Sequence, residues 1–69
     1  MNFDRIYDII DKDVIVHIYD GTSGEQFFQG ELNLLPHSIF EKIWKYEISR
    51  IFLGEDKFHN PVIAVEVEE

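Results

Sequence analysis

No cysteine occurs in the 69 residues. That excludes disulfides, zinc-thiolate sites and thiol catalysis together, and it is the usual condition of a chain in a reducing cytoplasm. Basic residues are also scarce: six Lys and Arg against fourteen Asp and Glu leave a formal charge of −8. The six are scattered, at Arg5, Lys12, Lys42, Lys45, Arg50 and Lys57. Nucleic-acid binding needs clustered cations to displace counterions from phosphates, so direct binding of DNA or RNA is not expected, nor is adhesion to an anionic membrane. A basic protein surface is the complementary partner. No apolar run approaches the roughly 18 residues that a membrane span requires. Met1-Asn2-Phe3-Asp4 lacks the basic and apolar regions of a secretory signal, and we therefore expect an untargeted, cytoplasmic protein.

What the chain has in quantity is apolar matter, 45% of residues, including six Phe, three Tyr and one Trp. A chain this short buries only about 60% of its unfolded surface, so we expect one domain, residues 1–69, with one small core. Asn2 is placed to cap a short helix in which Phe3, Ile6, Tyr7 and Ile10 recur at helical spacing, with Asp4 in its first turn. Val14 to Tyr19 reads as a strand: Val14, Val16 and Ile18 make one wholly apolar face, while Ile15, His17 and Tyr19 make an amphipathic one. Asp20-Gly21-Thr22-Ser23-Gly24 has the composition of a turn. The returning strand, Glu25 to Leu32, sets Gln26, Phe28, Gly30 and Leu32 against Glu25, Phe27, Gln29 and Glu31, which puts Phe27 on the second face among polar neighbours.

Pro36 suits the first turn of a helix, and Ile39, Phe40, Ile43 and Trp44 form its docking face with Glu41, Lys42 and Lys45 opposite. Glu47 to Leu53 and Pro61 to Glu68 alternate with period two around a charged loop, Gly54 to Asn60. The order αββαββ predicts an α+β fold, a four-stranded, mainly antiparallel sheet with two short helices, with a small partly closed β-barrel as the competing architecture.

Groups able to do chemistry are present but not assembled. Asp11 with Asp13, Glu55 with Asp56, and Glu66 with Glu68 are near neighbours in turns or at the end of the chain, where water screens them from the pKa shifts that acid-base catalysis needs. His17, His37 and His59 have no second ligand at metal-binding spacing. The Asp20 to Glu25 turn lacks the alternating acids and terminal Glu of a calcium loop, and no Lys or helix follows Gly21 or Gly24 to make a phosphate loop. Ser23, Ser38 and Ser49 stand in no nucleophile elbow. We expect no catalytic, metal or cofactor site, and no enzyme. Surface features remain: the face of Ile15, His17, Tyr19 and Phe27, and the acidic clusters.

The run Val14-Ile15-Val16-His17-Ile18-Tyr19-Asp20-Gly21, with Ser23-Gly24-Glu25, Phe28, Gly30-Glu31-Leu32 and Leu35-Pro36, resembles small acidic proteins of bacteriophages and mobile elements in Gram-positive bacteria, across roughly half of the chain. Such proteins are similar in size and acidity to phage-borne inhibitors of host defence, including anti-CRISPR proteins. The resemblance implies a non-enzymatic binding module. It would act as an inhibitor by mimicking DNA, occupying the basic groove of a nucleic-acid-binding enzyme with carboxylates in place of phosphates. The contacts expected are Asp11, Asp13, Asp20, Glu25, Glu55 and Asp56, with Tyr19 or Phe27 as an apolar anchor. The rival expectation is a structural or assembly accessory that self-associates, as a homodimer, through the aromatic face, its acidity serving only solubility.

Overall fold

The computed structural model describes residues 1–69. The elements follow in the order α1 (Phe3–Ile9), β1 (Ile15–Asp20), β2 (Gln26–Glu31), a single 3-10 turn (Leu32–Leu34), α2 (His37–Ile43), β3 (Glu47–Glu55) and β4 (Pro61–Glu68). The four strands form one open sheet in the order β2-β1-β4-β3, not a closed barrel. β1 pairs antiparallel with β2, and β3 antiparallel with β4, each through its hairpin. The two hairpins join along the parallel pairing of β1 with β4, Val16 opposite Ile63 through Asp20 opposite Val67.

This parallel seam carries the core. Val16, Ile18, Val65 and Val67 each expose 1% or less of their surface, and Phe3, Leu32 and Ile43 close over them at the same level. β-branched side chains suit a pleated surface covered by helices, and the two central strands supply six of the nine buried residues on that face or its reverse, where Ala64 and Val62 lie at 4%. Both helices lie on one side of the sheet. Phe3 and Tyr7 from α1 meet Phe40 from α2 in a cluster whose ring centroids are 4.8 to 6.3 Å apart, which locks the helices to each other as well as to the strands. The opposite side, with Ile15, His17 and Tyr19 of β1, has no covering element. Trp44, expected on the docking face of α2, falls at the helix C-cap and remains 37% exposed.

One expectation about the faces is corrected. The β1–β2 register shifts between Ile18 and Tyr19: Ile18 lies opposite Phe28 and Tyr19 opposite Gln26, so Phe27 is the extra residue of a β-bulge. A bulge breaks the alternation of side chains. Phe27 consequently packs with the core on the helix side, 6.2 Å from the Tyr46 ring, with Lys42 of α2 above it. It does not share a face with Ile15, His17 and Tyr19. In the same strand Gly30 adopts φ 144°, a conformation that any residue with a Cβ holds only under strain.

With nine fully buried residues, the stability expected for a chain of this size is about 3 to 10 kcal/mol. Ile18→Ala should therefore remove about 3 kcal/mol, a large share of the total, measured by urea denaturation. The bulge gives a sharper comparison. Phe27→Ala should cost at least about 2 kcal/mol, whereas Phe52→Ala, on the uncovered face, should cost less than about 1 kcal/mol. Equal costs would place Phe27 on the wrong side of the sheet.

Candidate functional site

The strand register decides where the charges go. The α1–β1 loop, with Asp11 and Asp13, and the β3–β4 loop, with Glu55 and Asp56, both lie at the end of the sheet where β1 and β4 begin. Asp20 and Glu25 close the β1–β2 hairpin at the other end, near Glu68 and Glu69. Six residues of strand separate the two groups, a distance of about 20 Å, in a molecule 30 Å long. The carboxylates expected to act together thus form two sets. Of the two apolar anchors, Tyr19 lies on the uncovered face and Phe27 does not.

The cations do little to neutralise either set. Five of the six rest on aromatic rings: Lys12 on Tyr7, Lys42 on Phe27, Lys45 on Trp44, Arg50 on Phe52 and Lys57 on Phe58, at 4.4 to 5.2 Å from the ring centroids. Lys12 also donates to the backbone oxygens of Tyr7 and Ile10. Among Lys and Arg, only Arg50 stands in an ion pair, 3.4 Å from Glu66. Two more carboxylates meet imidazoles four residues away, Glu41 with His37 and Glu55 with His59. These pairs are exposed, so their attraction is weak. Most of the −8 charge therefore faces solvent without a counter-charge.

Glu66 is the exception. Its side chain is only 18% exposed, and it collects partners from both neighbouring strands, β1 and β3. The Tyr19 hydroxyl donates to Oε2 at 3.0 Å, Ser49 Oγ donates to Oε1 at 3.2 Å, and Arg50 supplies the charge. The Arg50 guanidinium is held above its ordinary pKa chiefly by a hydrogen bond with the Tyr19 side chain, with the Glu66 carboxylate adding to the effect. Gly21 permits the arrangement: a Cβ there would stand 2.5 Å from Glu66 Oε1. His17 stacks beside Tyr19, with ring centroids 5.2 Å apart. The result is a polar and aromatic stripe across the uncovered face.

At the β4-start end of this face, the β3–β4 loop curls over to form an open cleft of about 410 Å³ lined by His17, Gln29, Glu55, Asp56, Lys57, Phe58 and Val62. It brings His17 near two carboxylates that the sequence separates by almost forty positions. Both carboxylates are already engaged. Asp56 Oδ1 accepts from the backbone N–H groups of Phe58 and Asn60, its Oδ2 accepts from the Asn60 side chain, and Glu55 Oε2 contacts His59 Nδ1 at 2.9 Å. Nowhere do three His, Asp or Glu side chains converge closely enough to hold a metal ion. Asp56 acts here as a turn-former, which lets His59 adopt φ 66°.

Sequence reasoning passed over Arg50 and Phe52, and it set Glu66 with Glu68 among the water-screened carboxylates at the end of the chain, whereas the Glu66 side chain is only 18% exposed. The i, i+2 spacing of Arg50 and Phe52 on a strand is a readable sign that they share a face. The partners of Glu66 were not readable, because Tyr19 and Arg50 come from strands on either side of β4. No helix is long and apolar enough to cross a membrane. No family model, curated protein or solved structure matches the chain.

The Asp56 turn makes a pH prediction. Hydrogen bonds from the Asn60 and Phe58 backbones hold its carboxyl below the ordinary 3.8. A depressed carboxyl stabilises the fold above its unfolded pKa, and the contribution is lost as pH falls through the lower folded value. The amides of Phe58 and Asn60 should therefore stay protected from hydrogen exchange down to pH 3.8 and lose protection below it. In Asp56→Ala they should be unprotected throughout.

Proposed function

We propose that the chain is a small, non-enzymatic binding module that meets a basic macromolecular partner through its uncompensated carboxylates. The observation that carries this reading is the placement of the cations: five of the six lie on aromatic rings, and one carboxylate of fourteen pairs with Lys or Arg. A field of this kind steers association with a basic surface and repels nucleic acid. The resemblance to acidic phage and mobile-element proteins supports a more specific form, an inhibitor that occupies the basic groove of a nucleic-acid-binding host enzyme. Asp11, Asp13, Glu55 and Asp56 gather at one end of the sheet, and we assign the contact to that end. Asp20 and Glu25, about 20 Å away, belong to it only if the groove spans the molecule. Phe27, on the covered side, is withdrawn as an anchor, and Tyr19, beside Asp20 near the end of β1, takes part under the same condition.

A self-associating accessory role through the aromatic face requires Tyr19 and Phe27 on one face; the bulge separates them, and that surface loses its aromatic pair. The binding reading is tested by affinity capture from a bacterial lysate with the full chain as bait. A partner retained at about 0.05 M salt should be released at about 0.5 M, where screening shortens to a few Å. It should be displaced by added duplex DNA. Asp11→Lys with Asp13→Lys and Glu55→Lys should abolish capture, while Glu25→Lys leaves it unchanged. Retention at high salt, or indifference to the triple reversal, would refute the reading.

A further inference from the structure

The two edges of the sheet are unlike. β2 is short, bulged at Phe27, flanked by Glu25 and Glu31, and bent at Gly30. Such features protect an edge against pairing. β3 runs nine residues without Pro or Lys. Its start is covered by the first residues of the chain: Ile48 N–H donates to the Met1 oxygen, and Asn2 bridges Glu47. Beyond its bulge at Ser49 nothing pairs with its outer side. There, three consecutive large apolar residues stand open, Ile51 at 45%, Phe52 at 37% and Leu53 at 80% exposure. Ile51 and Leu53 lie on the helix side, opposite Val65 and Ile63, but neither helix reaches them; Phe52 lies on the uncovered side, opposite Ala64.

We propose that the outer edge of β3, from Ser49 to Glu55, pairs antiparallel with the same edge of a second copy, joining two sheets into one of eight strands about a two-fold axis at Phe52. Three observations select this occupant and register. First, the strand is polar in its charge: Arg50 stands near one end, and Glu55 and Asp56 at the other. Antiparallel pairing brings the cation of each copy beside the acids of its partner, whereas parallel pairing sets like on like. Second, a two-fold perpendicular to the sheet keeps each face on its own side, so opposed residues must be an even number of positions apart. Third, of the registers this allows, the one centred on Phe52 opposes Phe52 to the partner's Phe52 and Ile51 to the partner's Leu53. It matches every exposed apolar residue of the edge with another and sets Arg50 against Gly54, which leaves room for the guanidinium. Main-chain bonds of an added strand supply the affinity and the side-chain pairs the register.

This surface meets the acidic contact proposed above at Glu55 and Asp56, and salt distinguishes the two in sign. Each copy carries −8, so screening strengthens the homodimer while it weakens a contact with a basic partner. Sedimentation of the full chain should give a monomer–dimer equilibrium with a dissociation constant below about 100 µM that tightens from low to moderate NaCl. Leu53→Lys, at a position too exposed to affect folding, should weaken the dimer at least about tenfold with an unchanged circular dichroism spectrum. Because the chain has no other cysteine, Phe52→Cys should form a disulfide-linked dimer on oxidation, as only a residue on the axis meets itself. A wild-type chain that stays monomeric at about 1 mM, a dimer indifferent to Leu53→Lys, or a dimer in which Phe52→Cys fails to cross-link would each overturn the proposal.

Discussion

The pairing of β1 with β4 is the constraint on which the other features rest. It is the one non-local strand contact in the sheet, made between segments more than forty residues apart, and it joins two hairpins that are local in sequence. Val16, Ile18, Val65 and Val67 line it on the helix side, so the gain from burying them is available only once the seam has closed. The same pairing aligns the starts of β1 and β4 and so collects Asp11, Asp13, Glu55 and Asp56 at one end. It also brings Tyr19 level with Glu66, and it consigns β2 and β3 to opposite edges.

Electrostatics follows from this frame. A chain with an eight-charge excess has to keep its carboxylates apart or paired. Here they are mostly kept apart, spread over two ends and the outer faces of short helices. Of the few cations, three lie over rings that are their neighbours in sequence or on the same strand: Lys45 on Trp44, Lys57 on Phe58, Arg50 on Phe52. Each such contact contributes about 0.5 to 1 kcal/mol at an exposed site and also covers apolar surface with the aliphatic stem. The acidity is therefore presented outward. Glu66 shows the contrasting case of a carboxylate drawn in by a hydroxyl, a serine and a guanidinium.

The elements themselves were legible because their periods are clean: β1 separates Val16 and Ile18 from His17 and Tyr19, and β4 separates Val65 and Val67 from Ala64 and Glu66, as alternation predicts. The α+β class and the open four-stranded sheet follow from the order of those elements. Phe27 was misread because a bulge inserts one residue without any mark in composition, and every alternation argument across it slips by one. Trp44 was misread: its backbone is still helical, but it stays 37% exposed with Lys45 over its ring. Strand order lay outside the reach of pattern reasoning, since nothing in β1 or β4 alone specifies its parallel partner. With strand order went the two-ended division of the acids, the Glu66 network, the His17 cleft and the exposure of β3.

The central physical claim is that the carboxylates lack internal counter-charges. The dependence of thermal stability on NaCl tests it most directly, between about 10 mM and about 150 mM, where Debye screening changes most and the hydrophobic term barely responds. Relief of self-repulsion predicts a midpoint that climbs steadily over this interval at neutral pH. A midpoint that fell with added salt would mean that ion pairs within the fold are being screened, and would contradict the account.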